Sequence, residues 1–127
     1  AKTYPDSTVL AYHFSERGAP PKDATKNANN ATAAGTVSEG SLIAAGMRLL
    51  GGNPIEIPAS ASLEWKAGQE WAWSAWVKSA AAPGANTILF SRVDGGNGLR
   101  VGFNETVPFV ELLTNGSSQK TPAGDPV

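Results

Sequence analysis

The sequence predicts an all-β chain, an antiparallel two-sheet β-sandwich. Three observations carry that expectation. Short apolar or β-branched runs recur along the chain with the period of a strand, each closed by Gly, Pro, Asn or Asp. No stretch repeats apolar residues at helical spacing over the length that a helix needs. Fourteen Gly and nine Pro among 127 residues supply turns for many short strands.

Seven strands are expected, at 9–14, 47–50, 55–57, 71–78, 87–92, 99–103 and 109–113. In the first, Leu10, Tyr12 and Phe14 fall on one face. Residues 15–40 are small, polar and broken by Pro20-Pro21 and by Asn27, Asn29 and Asn30, so they read as a long ordered loop. The second strand, Gly46 to Leu50, ends at Gly51-Gly52-Asn53-Pro54, and Pro58 stops the short third one. Ser60 to Gly68 holds either one helical turn or a loop around Leu63 and Trp65. The fourth strand holds three of the four Trp residues: Trp71 and Trp73 alternate to one face with Val77, and Trp76 to the other. Asp94 to Gly98 and Asn115-Gly116 are hairpin turn signals between the last runs. The predicted core is Leu10, Tyr12, Phe14, Leu49, Ile57, Trp73, Val77, Ile88, Phe90, Val101 and Phe103.

Composition bounds the function. A hydrophobic content of 41% with only 17% charged residues argues against charge-driven disorder and for a single domain over 1–127. The net charge is −1 and the ten Lys and Arg form no run, so no nucleic-acid partner is expected. Without Cys there is neither a disulfide framework nor a thiolate metal site. No apolar run reaches the roughly 18 residues of a spanning helix, so no membrane insertion is expected. The opening Ala1 to Asp6 reads as a mature terminus or a domain boundary rather than a signal peptide.

Four stretches, in order, carry a family resemblance: Leu10 to Glu16 followed by Asp23 to Thr32; Ala45 to Gly52; Ile55 to Pro58 with Leu63; and Trp73 to Lys78 with Thr87 to Arg92. Together they resemble the laminin-G-like, concanavalin A-like jelly roll of lectins and glucanases, in the form found in bacterial cell-envelope proteins. The resemblance covers about residues 8–113. It implies an extracytoplasmic setting and a lectin-like role. It also implies a domain that lacks its C-terminal strands, because the family continues with a Trp-His strand and a further hairpin. Self-association, or pairing with a separate C-terminal piece, is the expected consequence.

The chemistry expected of the chain is binding rather than catalysis. No strand bears two acids on one face, as glycoside hydrolysis needs; Glu64, Glu70 and Glu111 read as solvated surface acids. His13 is the only His and reads as a partly buried strand residue. Asp23, Asn27 and Asn30 are the candidate metal ligands: the loop offers one carboxylate and several amides, the oxygen donors Ca²⁺ takes, and family jelly rolls often hold one such ion. An Asx-rich loop bonding its own backbone is the competing reading. Trp65, in the irregular stretch, and Trp76, on the second face of its strand, are the candidate ligand-stacking residues, with core packing as the alternative for each. Asn-x-Ser/Thr sequons start at Asn30, Asn104 and Asn115. The expected function is a non-catalytic recognition module for carbohydrate or protein. A structural domain docking through its sheet edges is the alternative, and a glycan-active enzyme the lesser one.

Overall fold

The computed structural model describes residues 3–41, 45–66, 68–78 and 84–121. The chain divides into two compact units, Ala1–Trp76 and Val77–Val127. The described residues are all-β apart from one 3-10 turn, Ala61–Leu63, and their strands form two antiparallel sheets.

The first unit is mostly ordered loop. Its sheet pairs β1 (Thr36–Ser38) with β2 (Gly46–Arg48), so that Val37 lies opposite Met47. β1 falls inside the stretch expected to be loop, and β2 covers only the first part of the strand expected at 47–50. Leu49, placed in the core by alternation, is exposed beyond its end.

The strand expected at 9–14 reduces to a single bridge, Tyr12 to Asp23. The Ala11 carbonyl accepts from the Ala24 N–H, and other backbone groups of the segment bond to side chains. The Ala11 N–H donates to Asp23 Oδ1, and the Val9 carbonyl accepts from the amides of Asn27 and Asn29. Phe14 has φ of 55°, a region a bulky side chain seldom enters, and this ends the alternation. Tyr12 and Phe14 still meet, ring centroids 5.7 Å apart. Residues 55–57 join no ladder either; the Glu56 carbonyl accepts from the Thr32 N–H. The 3-10 turn is capped by Ser60, whose hydroxyl accepts from the Ser62 N–H.

The second unit is a meander of four strands in the order β3 (Thr87–Asp94), β4 (Asn97–Asn104), β5 (Val107–Thr114) and β6 (Ser117–Lys120). Three two-residue turns join them. In Gly95-Gly96 and Asn115-Gly116 both residues have positive φ, the I′ geometry whose twist matches a hairpin. At the third turn Glu105 takes φ of 57°, although glycine or asparagine is the usual occupant. β6 is polar throughout and lacks a strand pattern; the Asn115-Gly116 turn lays it onto β5.

Register sorts the side chains. Leu99, Val101 and Phe103 share one face of β4 with Phe90 opposite on β3 and Val110 and Leu112 opposite on β5. Leu99 is fully buried, at 0% exposure. The other face carries Arg100 and Gly102 on β4, Phe109 and Glu111 on β5, and Lys120 on β6. Ile88 and Phe90 were both expected in the core, but a bulge between them adds one residue to β3. Ile88 then lies opposite Gly102 and Phe90 opposite Val101, on opposite faces, and Ile88 is exposed. Gly102 is required where it sits: a Cβ there would lie 2.1 Å from the Thr87 carbonyl oxygen and 3.1 Å from Phe109 Cζ.

Residues 71–78, the most strand-like run in the sequence, join no ladder among the described residues, and every one of them is exposed. Trp73, expected to fill the core, is 38% exposed, and Val77 is also exposed. Alternating apolar residues give a segment the propensity for a strand, but a strand exists only where another backbone pairs with it.

Candidate functional site

Two groups of predicted site residues take very different places. The first is centred on Asp23, which is buried together with Asn29. Asp23 Oδ1 accepts from the Ala11 N–H at 3.0 Å and the Thr25 N–H at 2.9 Å. Its Oδ2 accepts from the Thr25 hydroxyl at 2.7 Å and the Asn29 N–H at 3.0 Å. The Asp23 N–H in turn donates to Asn30 Oδ1 at 2.9 Å. The Asn27 amide nitrogen donates to the Val9 carbonyl, and the Asn29 amide nitrogen to the Val9 carbonyl and Ser62 Oγ. The Tyr12 hydroxyl closes the knot on the Asn29 carbonyl.

Electrostatics follow from that geometry. Burial alone would raise the Asp23 carboxyl. The hydrogen bonds from Thr25, Ala11 and Asn29 outweigh it and hold the group below its usual value. Burial pushes the Tyr12 hydroxyl up to about 12, reinforced by the negative charges of Asp23 and Glu16.

Asp23, Asn27 and Asn30 are thus brought together, with the Asp23 carboxylate engaged by hydrogen bonds on both of its oxygens. The four protons on the carboxylate oxygens compete with a cation for their lone pairs, while Asn30 Oδ1 accepts one proton. Among the described residues no group of three or more His, Cys, Asp and Glu is placed to hold a metal. The loop's carboxylate and amides bond to backbone groups of residues 9–30 and to the hydroxyls of Thr25 and Ser62.

The second group is the tryptophans. Trp65 and Trp71 stack with ring centroids 5.0 Å apart and planes 1° from parallel. A turn makes the contact: the Gln69 N–H donates to the Lys66 carbonyl, and Gln69 Oε1 accepts from the Lys66 N–H. Both indoles are partly open to solvent, and Trp76 is 85% exposed. Sequence reasoning named Trp65 and Trp76 for ligand stacking. It missed Trp71 as the partner of Trp65, because strand alternation assigned that indole to a core face.

One further acid and the histidine complete the picture. Glu111, expected as a solvated acid, is only 7% exposed. It accepts from the Ser118 hydroxyl and from Arg100 at 3.2 Å, and these bonds with the nearby Lys120 charge hold its carboxyl below the usual range against the opposing effect of burial. The cause is register, which places Arg100 and Lys120 on either side of it. Lys120 Nζ lies 4.4 Å above the Phe109 ring and donates to Asn86 Oδ1. His13, expected to be partly buried, is exposed and hydrogen-bonded to the Tyr4 hydroxyl.

No protein family, curated protein or solved structure matches the chain.

Proposed function

We propose that the chain is a non-catalytic recognition module that binds carbohydrate through its exposed tryptophans. The observation that carries this reading is the solvent-facing indole surface: the parallel Trp65–Trp71 pair and the 85% exposed Trp76. A flat aromatic face suits the C–H face of a pyranose, and exposed indoles in such number are uncommon unless something covers them. The parallel planes make a platform and not the box of rings that encloses a cationic ligand. The buried acids support binding over chemistry, because Asp23 and Glu111 are committed to internal hydrogen bonds. The all-β build is in keeping with the concanavalin A-like jelly roll and the extracytoplasmic, cell-envelope setting that the sequence resemblance implies.

Depletion of the chain from solution by insoluble neutral polysaccharides, followed by a glycan array, tests the reading. Binding lost in Trp76→Ala and in Trp65→Ala/Trp71→Ala supports it. Absence of binding to every glycan, or undiminished binding by the variants, would remove it.

A second reading rests on β6. It ends the four-stranded sheet and all four of its residues are exposed, so a protein partner could add a strand there. Its Lys120 and its short length oppose that mode of pairing. Concentration-dependent association, measured by ultracentrifugation and abolished by Lys120→Pro, which removes an N–H facing the free edge, would favour it.

A further inference from the structure

We propose that Asn115 is a site of spontaneous deamidation whose rate is governed by a contact between two hairpin tips. Asn115-Gly116 occupies the β5–β6 turn, with φ of 50° and 79°. Asn115 is exposed, and its side-chain amide meets no partner among the described residues. Its backbone is held. The Asn115 N–H donates to Asn97 Oδ1 at 3.0 Å, and the Gly116 N–H donates to the Gly96 carbonyl at 2.9 Å. Asn97 and Gly96 belong to the neighbouring β3–β4 tip, and Asn97 is itself oriented by donating from Nδ2 to the Gly95 carbonyl.

The chemistry needs the atom that the contact holds. Solvent base takes the Gly116 N–H proton, and that nitrogen attacks Cγ of Asn115. The new C–N bond closes a succinimide while the Cγ–Nδ2 bond breaks and the nitrogen leaves as ammonia. Water then opens the ring at either carbonyl to Asp or isoaspartate, so that one amide and one water become one carboxylate and one ammonium ion. Glycine follows the asparagine, so no side chain shields the attacking nitrogen. While the Gly116 N–H is bonded to Gly96, its proton is protected and its lone pair is misdirected. Reaction therefore proceeds from the state in which the tips have parted.

Isoaspartate would matter to the fold. It inserts one extra backbone atom into a two-residue turn whose geometry sets the β5–β6 register. β6 is held by four paired residues, the Ser118–Glu111 bond and the Lys120 contacts with Asn86 and Phe109. Deamidation would loosen that edge and add one negative charge at the turn.

Peptide mapping by mass spectrometry in mildly alkaline buffer tests the proposal. Conversion at Asn115 should be at least about tenfold slower in the folded chain than in urea, the effect of two protecting hydrogen bonds. Asn97→Ala should accelerate it roughly threefold to tenfold, and Asn97→Asp, which keeps an acceptor for the Asn115 N–H, should stay near the wild-type rate. Equal rates in folded and unfolded chain would overturn the proposal. An unchanged rate in an Asn97→Ala chain of native circular dichroism would do the same. Should that variant not fold, acceleration in Asn97→Asp would count equally against it.

Discussion

Replacing Asp23 by Asn changes one atom and separates a structural carboxylate from a metal ligand. The amide nitrogen can take the place of either oxygen. At Oδ1 it would face two backbone donors, Ala11 N–H and Thr25 N–H. At Oδ2 it faces the Asn29 N–H, while the Thr25 hydroxyl can reverse and accept. The second arrangement is the cheaper, and it still loses a bond to a charged acceptor and leaves the N–H of a buried residue unpaired. Those two effects overlap and sum to about 2–4 kcal/mol. Asp23→Ala, which removes all four acceptor contacts, should cost more. Urea unfolding followed by tryptophan fluorescence measures both. The carboxyl is held below its usual value in the folded chain, so its contribution is complete above the ordinary carboxyl pKa of 3.8 and is lost as pH falls through the folded value. The Asn variant should therefore lose less stability than wild type on acidification. A loss below about 1 kcal/mol at neutral pH, or an unchanged acid limb, would refute the account. Calorimetric titration with Ca²⁺ completes the test, and heat that disappears in Asp23→Ala would restore the cation reading.

Three further outcomes are expected. Gly102→Ala should destabilise the meander by about 3 kcal/mol, since the new methyl meets a backbone carbonyl that cannot move without breaking β3–β4 pairing; thermal denaturation with a shift near zero would show that the sheet opens there freely. Tyr12 has its hydroxyl raised from 10.0 to about 12, so the stability it contributes is present below pH 10 and is lost as pH rises toward 12; Tyr12→Phe should remove that part of the alkaline unfolding limb in a spectrophotometric pH titration. Glu111→Gln should cost about 1–2 kcal/mol in urea unfolding, less than a fully buried pair because Arg100 remains partly open to water, and Glu111→Leu, which leaves Ser118 and Arg100 without an acceptor, should cost more.

Strands β3, β4 and β5 were legible because their information is local. Asp94 to Gly98 and Asn115-Gly116 prescribe turns by themselves, the run at 99–103 alternates cleanly and those at 87–92 and 109–113 are apolar and β-branched, so each strand pairs with its immediate neighbour in the chain. The all-β class followed from the same signals together with the absence of helical spacing. What the tertiary structure alone decided concerns groups whose partners are distant in sequence. Ala11 and Asp23, or Asn29 and Ser62, meet across loops, and nothing in residues 9–14 announces that their donors and acceptors go to side chains in place of a strand. Burial of Glu111 depends on a register that sets Arg100 and Lys120 beside it, and the bulge at Leu89 reverses a face that alternation had assigned. Trp65 finds Trp71 because the Lys66–Gln69 bonds turn the chain back between them. Periodicity reports which residues can share a face. It carries no information on which backbone pairs with that face, and for residues 71–78 that pairing decides whether a tryptophan is core or surface.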